Sequence, residues 1–360
     1  MAKVFLKNAT KIFGKTVVAV NNLTMQIPEN ELVCLLGPSG CGKTTTMRII
    51  AGLETPTSGR VYINDQDVTD LPPKKRNITM VFQLPAVYET LTAYENIAFP
   101  LRCQNQPREK IKKRVGELVE LFEILKEDLE RKAIRLAVSD RQRISLAHAF
   151  AIPRNVYLLD EPLSNLDPKS RTDLRIKIKQ IQKRIGETLI YVTHDQSEAL
   201  TLADRIAVMH EGKLLQYDVA ENVYSNPTNT FVGWFLGNPG MNFVDCVYIR
   251  RDGKRLLDAG SFKYEIGDIK ELDEDRELML GIRPENIDVS QTKKEGWIPC
   301  ECTYTEVIGN RLLLHLQIGD IVVKAKVGAD LPASESKRVW MNFPSEYVRL
   351  FDRKTKNTIS

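Results

Sequence analysis

Short, largely apolar runs alternate with helical patterns along the first 235 or so residues. The runs at 31–36, 156–160 and 188–193 are typical of strands that are buried on both faces of a sheet. Between such runs, apolar residues recur at intervals of three and four, at 111–125 and 174–185, which predicts amphipathic helices. Because strands that alternate with helices favour a largely parallel sheet, this part of the chain is predicted to be α/β.

The pattern changes after Asn238-Pro239-Gly240, where short strands separated by turn residues take over. At 321–327, for example, apolar residues at the odd positions alternate with Val322, Lys324 and Lys326. A period of two predicts strands with one buried face, and a series of short strands predicts a small all-β, barrel-like fold. We therefore predict two domains, at residues 1–235 and 236–360.

The composition is consistent with this organisation. A chain of 360 residues is too long for one ordinary hydrophobic core but suits one large domain and a smaller one. It is 42% hydrophobic and 27% charged, as soluble globular proteins are, and its net charge of +4 is spread along the chain. Without a concentrated basic stripe, we expect no nucleic acid partner.

Neither a secretion signal nor a membrane-spanning helix is predicted, so we expect a cytoplasmic chain. No run approaches the roughly 18 apolar residues that a membrane-spanning helix needs, and the N-terminus has no apolar stretch of the length of a secretion signal. The six cysteines lack the spacing of a disulfide framework or a metal site, so we expect free, buried thiols.

The strongest motif follows the first predicted buried strand. Gly37-Pro38-Ser39-Gly40-Cys41-Gly42-Lys43-Thr44 fits the pattern GxxxxGK followed by Ser or Thr, and Thr45 continues into a predicted helix. Backbone amides of such a loop, with the positive end of the helix dipole, hold anionic phosphates. We expect Lys43 to hold the β and γ phosphates of ATP, and the Thr44 hydroxyl to bind magnesium.

Three further polar residues follow the other predicted buried strands. Asp160 ends one strand and is expected to hold magnesium, while Glu161 is placed to orient the attacking water and accept its proton. His194 follows the strand at 188–193, at the edge of the sheet where ligands of α/β proteins bind, so we expect it to contact the γ-phosphate. Without the phosphate loop, Asp160 and Glu161 would indicate only an acidic turn at a strand end, and His194 only a histidine with its ring nitrogens hydrogen-bonded.

Several motifs together make the chain resemble one family, the ATPase subunits of ABC transporters of the maltose and glycerol-3-phosphate importer type. The motifs are Val81–Gln83 (Q-loop), Leu158–Pro162 (Walker B), Ser164-Asn165-Leu166-Asp167 (D-loop), Thr193–Asp195 (switch histidine), Pro239–Phe243 and Gly281–Glu285. The resemblance implies a P-loop NTPase fold with a helical subdomain at about 85–152. It also implies that the C-terminal part is the OB-like accessory domain often called TOBE.

The same resemblance assigns further roles. Phe13 falls where the family has an aromatic ring that stacks on adenine, and Gln83 would reach magnesium and the attacking water. The segment Leu84–Asn96 would line the groove for a membrane subunit, although 84–89 departs from the usual polar and aromatic pattern. The implied partners are two membrane-spanning permease subunits, a second ATPase subunit and, indirectly, an extracytoplasmic solute-binding protein. The chain would then sit at the cytoplasmic face of the membrane with ATP and Mg²⁺ as cofactors.

One family motif is altered. In the slot of the LSGGQ signature, which closes over the γ-phosphate held by the partner ATPase, stands Leu136-Ala137-Val138-Ser139-Asp140. Val138 and Ser139 replace glycines where a backbone must approach phosphate closely, and Asp140 brings a carboxylate toward an anion. At an effective dielectric near 20, like charges about 4 Å apart repel by roughly 4 kcal/mol. We interpret the segment as a helix start with Ser139 and Gln142 forming a capping box, which has lost its anion-binding role.

In the dimer that the resemblance implies, the altered loop faces the partner's nucleotide, whereas the partner's loop faces the nucleotide of this chain. The alteration would therefore weaken only the site at the partner's phosphate loop. We therefore hypothesise a heterodimer with a paralogous ATPase whose signature is intact. A homodimer would have two weakened sites, and turnover at about 1 to 100 per second would contradict the hypothesis. The alternative function is a soluble regulatory protein that dimerises on ATP without transport, and a third is a nucleic-acid-associated ATPase, which the OB-like fold and the net basic charge alone suggest. The transported solute, a sugar, glycerol, glycerol phosphate or another small polyol, rests on the resemblance alone.

Overall fold

The computed structural model describes residues 4–267, 272–329 and 338–359. The chain divides into two compact units, residues 1–220 and 221–360. Residues 221–235 therefore group with the second unit, whereas the sequence pattern predicts that they belong to the first domain. Among the described residues, no helix has the length and apolar character needed to cross a membrane.

The strands of the first unit form two sheets. Its strands are β1 (Val4–Phe13), β2 (Val17–Ile27), β3 (Leu32–Leu36), β4 (Ser58–Ile63), β5 (Gln66–Asp67), β6 (Ile78–Val81), β7 (Val156–Asp160), β8 (Thr188–Thr193), β9 (Arg205–His210) and β10 (Lys213–Val219). Its helices are α1 (Lys43–Ala51), α2 (Ala93–Cys103), α3 (Arg108–Leu121), α4 (Val138–Ala149), α5 (Pro168–Ile185) and α6 (Gln196–Leu202).

A six-stranded sheet in the order β10-β9-β3-β8-β7-β6 positions the site. The strands from β9 to β6 are parallel, and β10 is antiparallel to β9. Every residue of β3, β7 and β8 is buried, which confirms the interpretation of their apolar runs. A second, antiparallel sheet in the order β2-β1-β4-β5 shares a buried apolar core with α1 and the large sheet.

The predicted helices form with small differences at their ends. In α3 the buried face is Ile111, Val115, Leu118 and Val119, but Leu125 lies beyond the helix and is 57% exposed. The stripe at 174–185 belongs to α5, where Leu174, Ile178 and Ile181 are buried. The helix α2 begins with a capping box, in which the side chain of Thr92 accepts from the Glu95 amide and the Glu95 carboxylate accepts from the Thr92 amide.

The second unit is mainly β. After α7 (Ala220–Ser225) and α8 (Thr230–Phe235), its strands are β11 (Asn242–Arg251), β12 (Lys254–Asp258), β13 (Lys263–Glu265), β14 (Glu277–Ile282), β15 (Asp288–Ser290), β16 (Ile298–Ile308), β17 (Arg311–Ile318), β18 (Ile321–Gly328), β19 (Arg338–Asn342) and β20 (Arg349–Asp352). They form two antiparallel sheets, β13-β12-β11-β14-β20 and β15-β19-β16-β17-β18, which enclose a common core. In β18, Val323 and Ala325 are buried and Val322 is exposed, as the alternation predicts.

All six cysteines are free thiols, as predicted. The prediction that they are buried holds for Cys34, Cys41, Cys246 and Cys300. It is wrong for Cys103, which is exposed at the end of α2, and Cys302 is only half-buried.

Candidate nucleotide site

The predicted phosphate loop joins the buried strand β3 to α1. Gly42, immediately before the helix, has φ of 102°, and a Cβ there would lie 2.2 Å from the carbonyl oxygen of Ala19. A Cβ on Gly37 would lie equally close to the carbonyl oxygen of Met209. Only glycine fits both positions, so the loop turns tightly and presents its backbone amides at the N-terminus of α1.

The side chain of Lys43 lies across this loop. Its ammonium donates to the carbonyl oxygens of Gly37 and Pro38, each at 2.8 Å, and the residue is 5% exposed. Cys41 is buried beside it, with Sγ 3.8 Å from Nζ, and this burial raises the pKa of the thiol despite the nearby ammonium. Ser39 and Gly40 at the tip are exposed, and Thr44 and Thr45 are half-buried. A phosphate group at the tip would therefore meet amides, a lysine and hydroxyls.

Thr44 and Asp160 meet as the sequence predicts. The Thr44 hydroxyl donates to Oδ1 of Asp160 at 3.0 Å, which joins the start of α1 to the end of β7. Burial raises the pKa of the Asp160 carboxyl, an effect that the Thr44 hydrogen bond opposes. A divalent cation at this point would receive two hard oxygen ligands and would stabilise a carboxylate that is only 7% exposed, so this pair fits magnesium.

Glu161 and His194 form the second pair. Oε2 of Glu161 lies 3.2 Å from Nδ1 of His194, and the histidine side chain is 56% exposed. Glu161 adopts φ of 43°, which is uncommon for a residue other than glycine, and its amide donates to the carbonyl oxygen of Val192. The chain thus turns sharply at the end of β7 and aims Glu161 toward the end of β8, an arrangement that suits a functional carboxylate.

Gln83 follows the neighbouring strand β6, whose Val81 pairs with Leu159 of β7. This places Gln83 at the same edge of the sheet as Asp160, with an exposed side chain. Its backbone oxygen accepts from the side-chain amide of Asn165 at 3.2 Å, so the Q-loop and the D-loop are in contact.

The D-loop residues connect the edge of the sheet to α5. The Ser164 hydroxyl donates to the backbone oxygen of Glu161 at 3.0 Å, and Leu166 is buried. Asp167 is the N-cap of α5 and accepts from the amides of Lys169 and Ser170, which lowers its pKa. The D-loop is therefore held at both ends.

Sequence reasoning missed Arg171, which joins two motifs. Its guanidinium donates to the backbone oxygens of Ser164 and Leu166 and lies 3.9 Å from Oδ2 of Asp195, the residue after the switch histidine. The only signal in the sequence is its position four residues after Asp167, one turn into a helix.

Phe13 lies at the end of β1 and is 40% exposed, so one part of its ring is open to a ligand. The ammonium of Lys11 lies 5.0 Å from the ring centroid and also pairs with Glu54 at 2.9 Å. A cation at this distance favours a fixed ring orientation. The exposed ring supports the stacking role that the family resemblance implies.

The altered signature starts α4, but the predicted capping box is wrong. The helix begins at Val138, its N-cap is Ala137, and no side chain caps it. Ser139 and Asp140 already belong to the first turn, because the Arg141 amide bonds the Ala137 oxygen at 3.0 Å. The helix therefore starts two residues earlier than the preference of Ser for N-cap positions suggests.

Asp140 and Val138 change the character of this helix end. Burial raises the pKa of the Asp140 carboxyl, as does the buried Asp128, while Arg143 and Arg131 oppose the shift. Val138 is 41% exposed at the start of the helix. The first turn thus presents a branched side chain where the family's signature has a glycine, and a carboxylate two residues later.

The segment Leu84–Asn96, predicted to receive a membrane subunit, presents apolar side chains to solvent. Leu84 is 72% exposed and Tyr88 is 49% exposed. Beneath them Asn96 is fully buried, and its side chain bonds the backbone of Tyr88 in both directions. A rigid backbone with an apolar surface is typical of a protein-binding segment.

The fold and the site together define the class, a P-loop ATPase with two carboxylates, Asp160 and Glu161, beside the phosphate loop at one edge of a parallel sheet. Residues 20–164 match the ABC transporter family, and residues 237–287 match the MalK OB fold domain. The chain therefore belongs to the ABC transporter ATP-binding proteins, in the branch that carries a MalK-type OB fold. It is an ABC-type ATPase, as its motifs predict, and its cofactor is ATP.

Individual relatives agree with this placement. The trehalose/maltose import ATP-binding protein MalK of Thermococcus litoralis is 40% identical over 376 residues, with all of both chains covered. The sn-glycerol-3-phosphate import ATP-binding protein UgpC of Psychromonas ingrahamii is 36% identical over 372 residues, covering 100% of this chain and 96% of the relative. The dimeric post-hydrolysis structure of the ATP-binding cassette MJ0796, bound to ADP and Pi, is 31% identical with a TM-score of 0.56 and covers 60% of this chain and 98% of that one.

Proposed function

We propose that this chain is the ATP-hydrolysing, energy-coupling subunit of an importer for a sugar, glycerol, or a related polyol or glycerol phosphate. The observation that carries the proposal is the pairing of Thr44 with Asp160 and of Glu161 with His194 at one edge of the sheet. The import proteins for trehalose/maltose and for sn-glycerol-3-phosphate among the relatives support the solute class.

In this proposal the phosphate loop, Gly37 to Thr45, binds the nucleotide phosphates, with Lys43 against the β and γ groups and Phe13 stacked on adenine. Thr44, Asp160 and Gln83 hold Mg²⁺, which when bound would neutralise phosphate charge. Glu161 accepts the proton of the attacking water, and His194 holds the γ-phosphate and the Glu161 carboxylate in register. The distance of 3.2 Å between their side chains supports this division of work.

The proposed partners are membrane-spanning permease subunits and, through them, an extracytoplasmic solute-binding protein. The exposed apolar side chains of Leu84 and Tyr88 support a docking role for the segment Leu84–Asn96. A chain docked in this way would be a peripheral protein at the cytoplasmic face of the membrane. Closure of two ATPase subunits on ATP and their release after hydrolysis would then switch the access of the membrane subunits.

The identity of the second ATPase subunit is the finer part of the proposal. The helix end at Ala137 to Asp140, with its carboxylate and no cap, motivates a heterodimer with a paralogue that has an intact signature. None of the relatives supports such a paralogue, and the dimeric MJ0796 cassette favours two copies of one chain. A homodimer of this chain would have two weakened sites and would turn over slowly.

Purification from the native cells through a tag on this chain, followed by native mass spectrometry, tests these points together. Membrane subunits in the complex support the importer, and their absence favours a soluble protein that dimerises on ATP, an alternative motivated only by the altered signature. Two different ATPase chains in equal amounts support the heterodimer, and two copies of this chain overturn it. Solute-dependent ATPase activity of the complex with its solute-binding protein identifies the solute.

A further inference from the structure

Glu198 is a buried carboxylate behind the site that no motif accounts for. It lies in α6 and is 4% exposed. Its Oε2 accepts two hydrogen bonds, from the Tyr191 hydroxyl at 2.9 Å and from the Thr193 hydroxyl at 2.8 Å. Both donors are on β8, and Thr193 immediately precedes His194. A buried carboxylate with two hydroxyl donors is costly to place and rigid once its bonds are made.

These contacts belong to a closed ring of hydrogen bonds around His194. The Thr193 hydroxyl, which donates to Glu198, also accepts from the Asp195 amide at 3.0 Å. The carboxylate of Asp195 in turn accepts from the Glu198 amide at 3.1 Å. The residues on both sides of His194 are thereby fixed to α6, while the imidazole itself stays 56% exposed and reaches Glu161.

We propose that Glu198 is a positioning residue, which holds His194 in register with Glu161 through the Thr193 hydroxyl. The inference rests on the proposed function, in which His194 acts on the γ-phosphate. A strand end is a point where the backbone is free to turn, so the direction of an exposed side chain there depends on its neighbours. Misplacing a catalytic group by about 1 Å costs on the order of 100-fold in rate.

The structure offers a matched pair of variants. Thr193→Val and Tyr191→Phe each remove one hydroxyl that donates to the same oxygen of Glu198. Only Thr193 is next to His194 in the sequence. Although each variant removes one hydrogen bond to Glu198, the proposal therefore predicts a larger effect on kcat for Thr193→Val. We expect Thr193→Val to lower kcat by roughly 10- to 100-fold with little change in KM for ATP, and Tyr191→Phe to lower it by less than about twofold. Equal effects of the two variants on kcat would overturn the proposal.

A second readout separates positioning from stability. The chain has four histidines, so imidazole NMR of the labelled protein has few signals, and His194→Gln assigns the one of interest. We expect Thr193→Val and Glu198→Ala to change the chemical shift of the His194 imidazole. In these variants, the further substitution Glu161→Gln should change that shift less than it does in the wild-type protein. Glu198→Gln keeps an oxygen for both hydroxyls and should retain the wild-type signal and most of kcat. A His194 signal unchanged in Glu198→Ala would overturn the proposal, whatever the effect on the melting temperature.

The two hypotheses fail in different ways. If His194→Gln hydrolyses ATP at the wild-type rate, the catalytic role of His194 is wrong, and the NMR comparison still decides whether Glu198 orients the imidazole. If His194→Gln is inactive but Glu198→Ala keeps wild-type kcat, the catalytic role stands and the positioning role of Glu198 is wrong.

Discussion

The imidazole of His194 lies 3.2 Å from the carboxylate of Glu161, although 32 residues separate the two in the chain and they follow different strands. Neighbouring parallel strands bring them together, because Asp160 of β7 pairs with Val192 of β8. The unusual φ of 43° at Glu161 completes the approach. The hydrolytic half of the site is thus a product of sheet register and one strained turn.

Glu161→Gln should abolish hydrolysis without preventing binding. The amide cannot accept the proton of the attacking water, so we expect kcat to fall by roughly 100-fold or more, as for the loss of a general base. ATP affinity, measured by isothermal titration, should stay within about twofold, since the substitution keeps the size of the side chain. The control is Glu306→Gln, which changes another glutamate that pairs with a histidine, His315, in the second unit. Wild-type turnover in Glu161→Gln would show that the base lies elsewhere.

The pair Thr44 and Asp160 predicts how ATP binding responds to magnesium. Thr44→Val keeps the shape of the side chain but removes the hydroxyl that bonds Asp160 at 3.0 Å. We expect the Mg²⁺ concentration for half-maximal ATPase activity to rise by roughly tenfold or more. Loss of a residue that only hydrogen-bonds a metal ligand already lowers metal affinity by about tenfold or more. Affinity for ATP in EDTA should change little. Thr172→Val, which removes an exposed hydroxyl of α5 that bonds the Pro168 oxygen, is the control, and equal effects of the two variants would remove Thr44 from the metal site.

The altered signature predicts a gain of activity. Ala137→Ser, Val138→Gly, Ser139→Gly and Asp140→Gln together would remove the carboxylate and both added Cβ atoms from the first turn of α4. If two copies of this chain face each other, turnover should rise by about tenfold, the effect of roughly 1.4 kcal/mol in the barrier. Asp140→Asn alone tests the charge, because it keeps the shape of the side chain. Unchanged turnover in both variants of a homodimer would mean that the present sequence already binds phosphate well.

Much of the fold could be predicted because its signals are local. The strands β7 and β8 have the predicted bounds, since fully buried strands are unbroken apolar runs with turn residues at their ends. The phosphate loop, Asp160, Glu161 and His194 are also found at the ends of buried strands. The parallel register then brings them to one edge, which a pattern of strands and helices implies.

Helix ends and polar contacts are the parts that the sequence pattern did not predict. Ser139 has a strong preference for the N-cap position, but α4 starts two residues earlier, where the chain leaves the buried Leu136. Leu125 continues the apolar stripe of α3 in sequence, yet the helix ends at Leu121 and leaves it exposed. The hydrogen bonds of Arg171 and Glu198 reach the D-loop and β8, so the apolar periodicity of their own helices does not mark either residue. Periodicity reports which face is buried, and it carries no information about which polar groups meet.

Arg283 predicts a large loss of stability in the second unit. It is 2% exposed, and its guanidinium donates to the backbone oxygens of Gly233, Leu236 and Tyr224 while lying 3.9 Å from the centroid of the Tyr224 ring. Lysine has no planar fork to reach several carbonyl groups at once, so Arg283→Lys leaves buried acceptors without donors. We expect a loss of about 3 kcal/mol in the unfolding free energy, since hydrogen bonds to charged groups are worth about 1.5 to 3 kcal/mol each. Hydrogen exchange of the full chain should show the loss in β11 and β14 and leave β7 and β8 protected. Arg311→Lys, at an exposed position of β17, is the control, and equal stability of the two variants would show that the buried guanidinium contributes nothing specific.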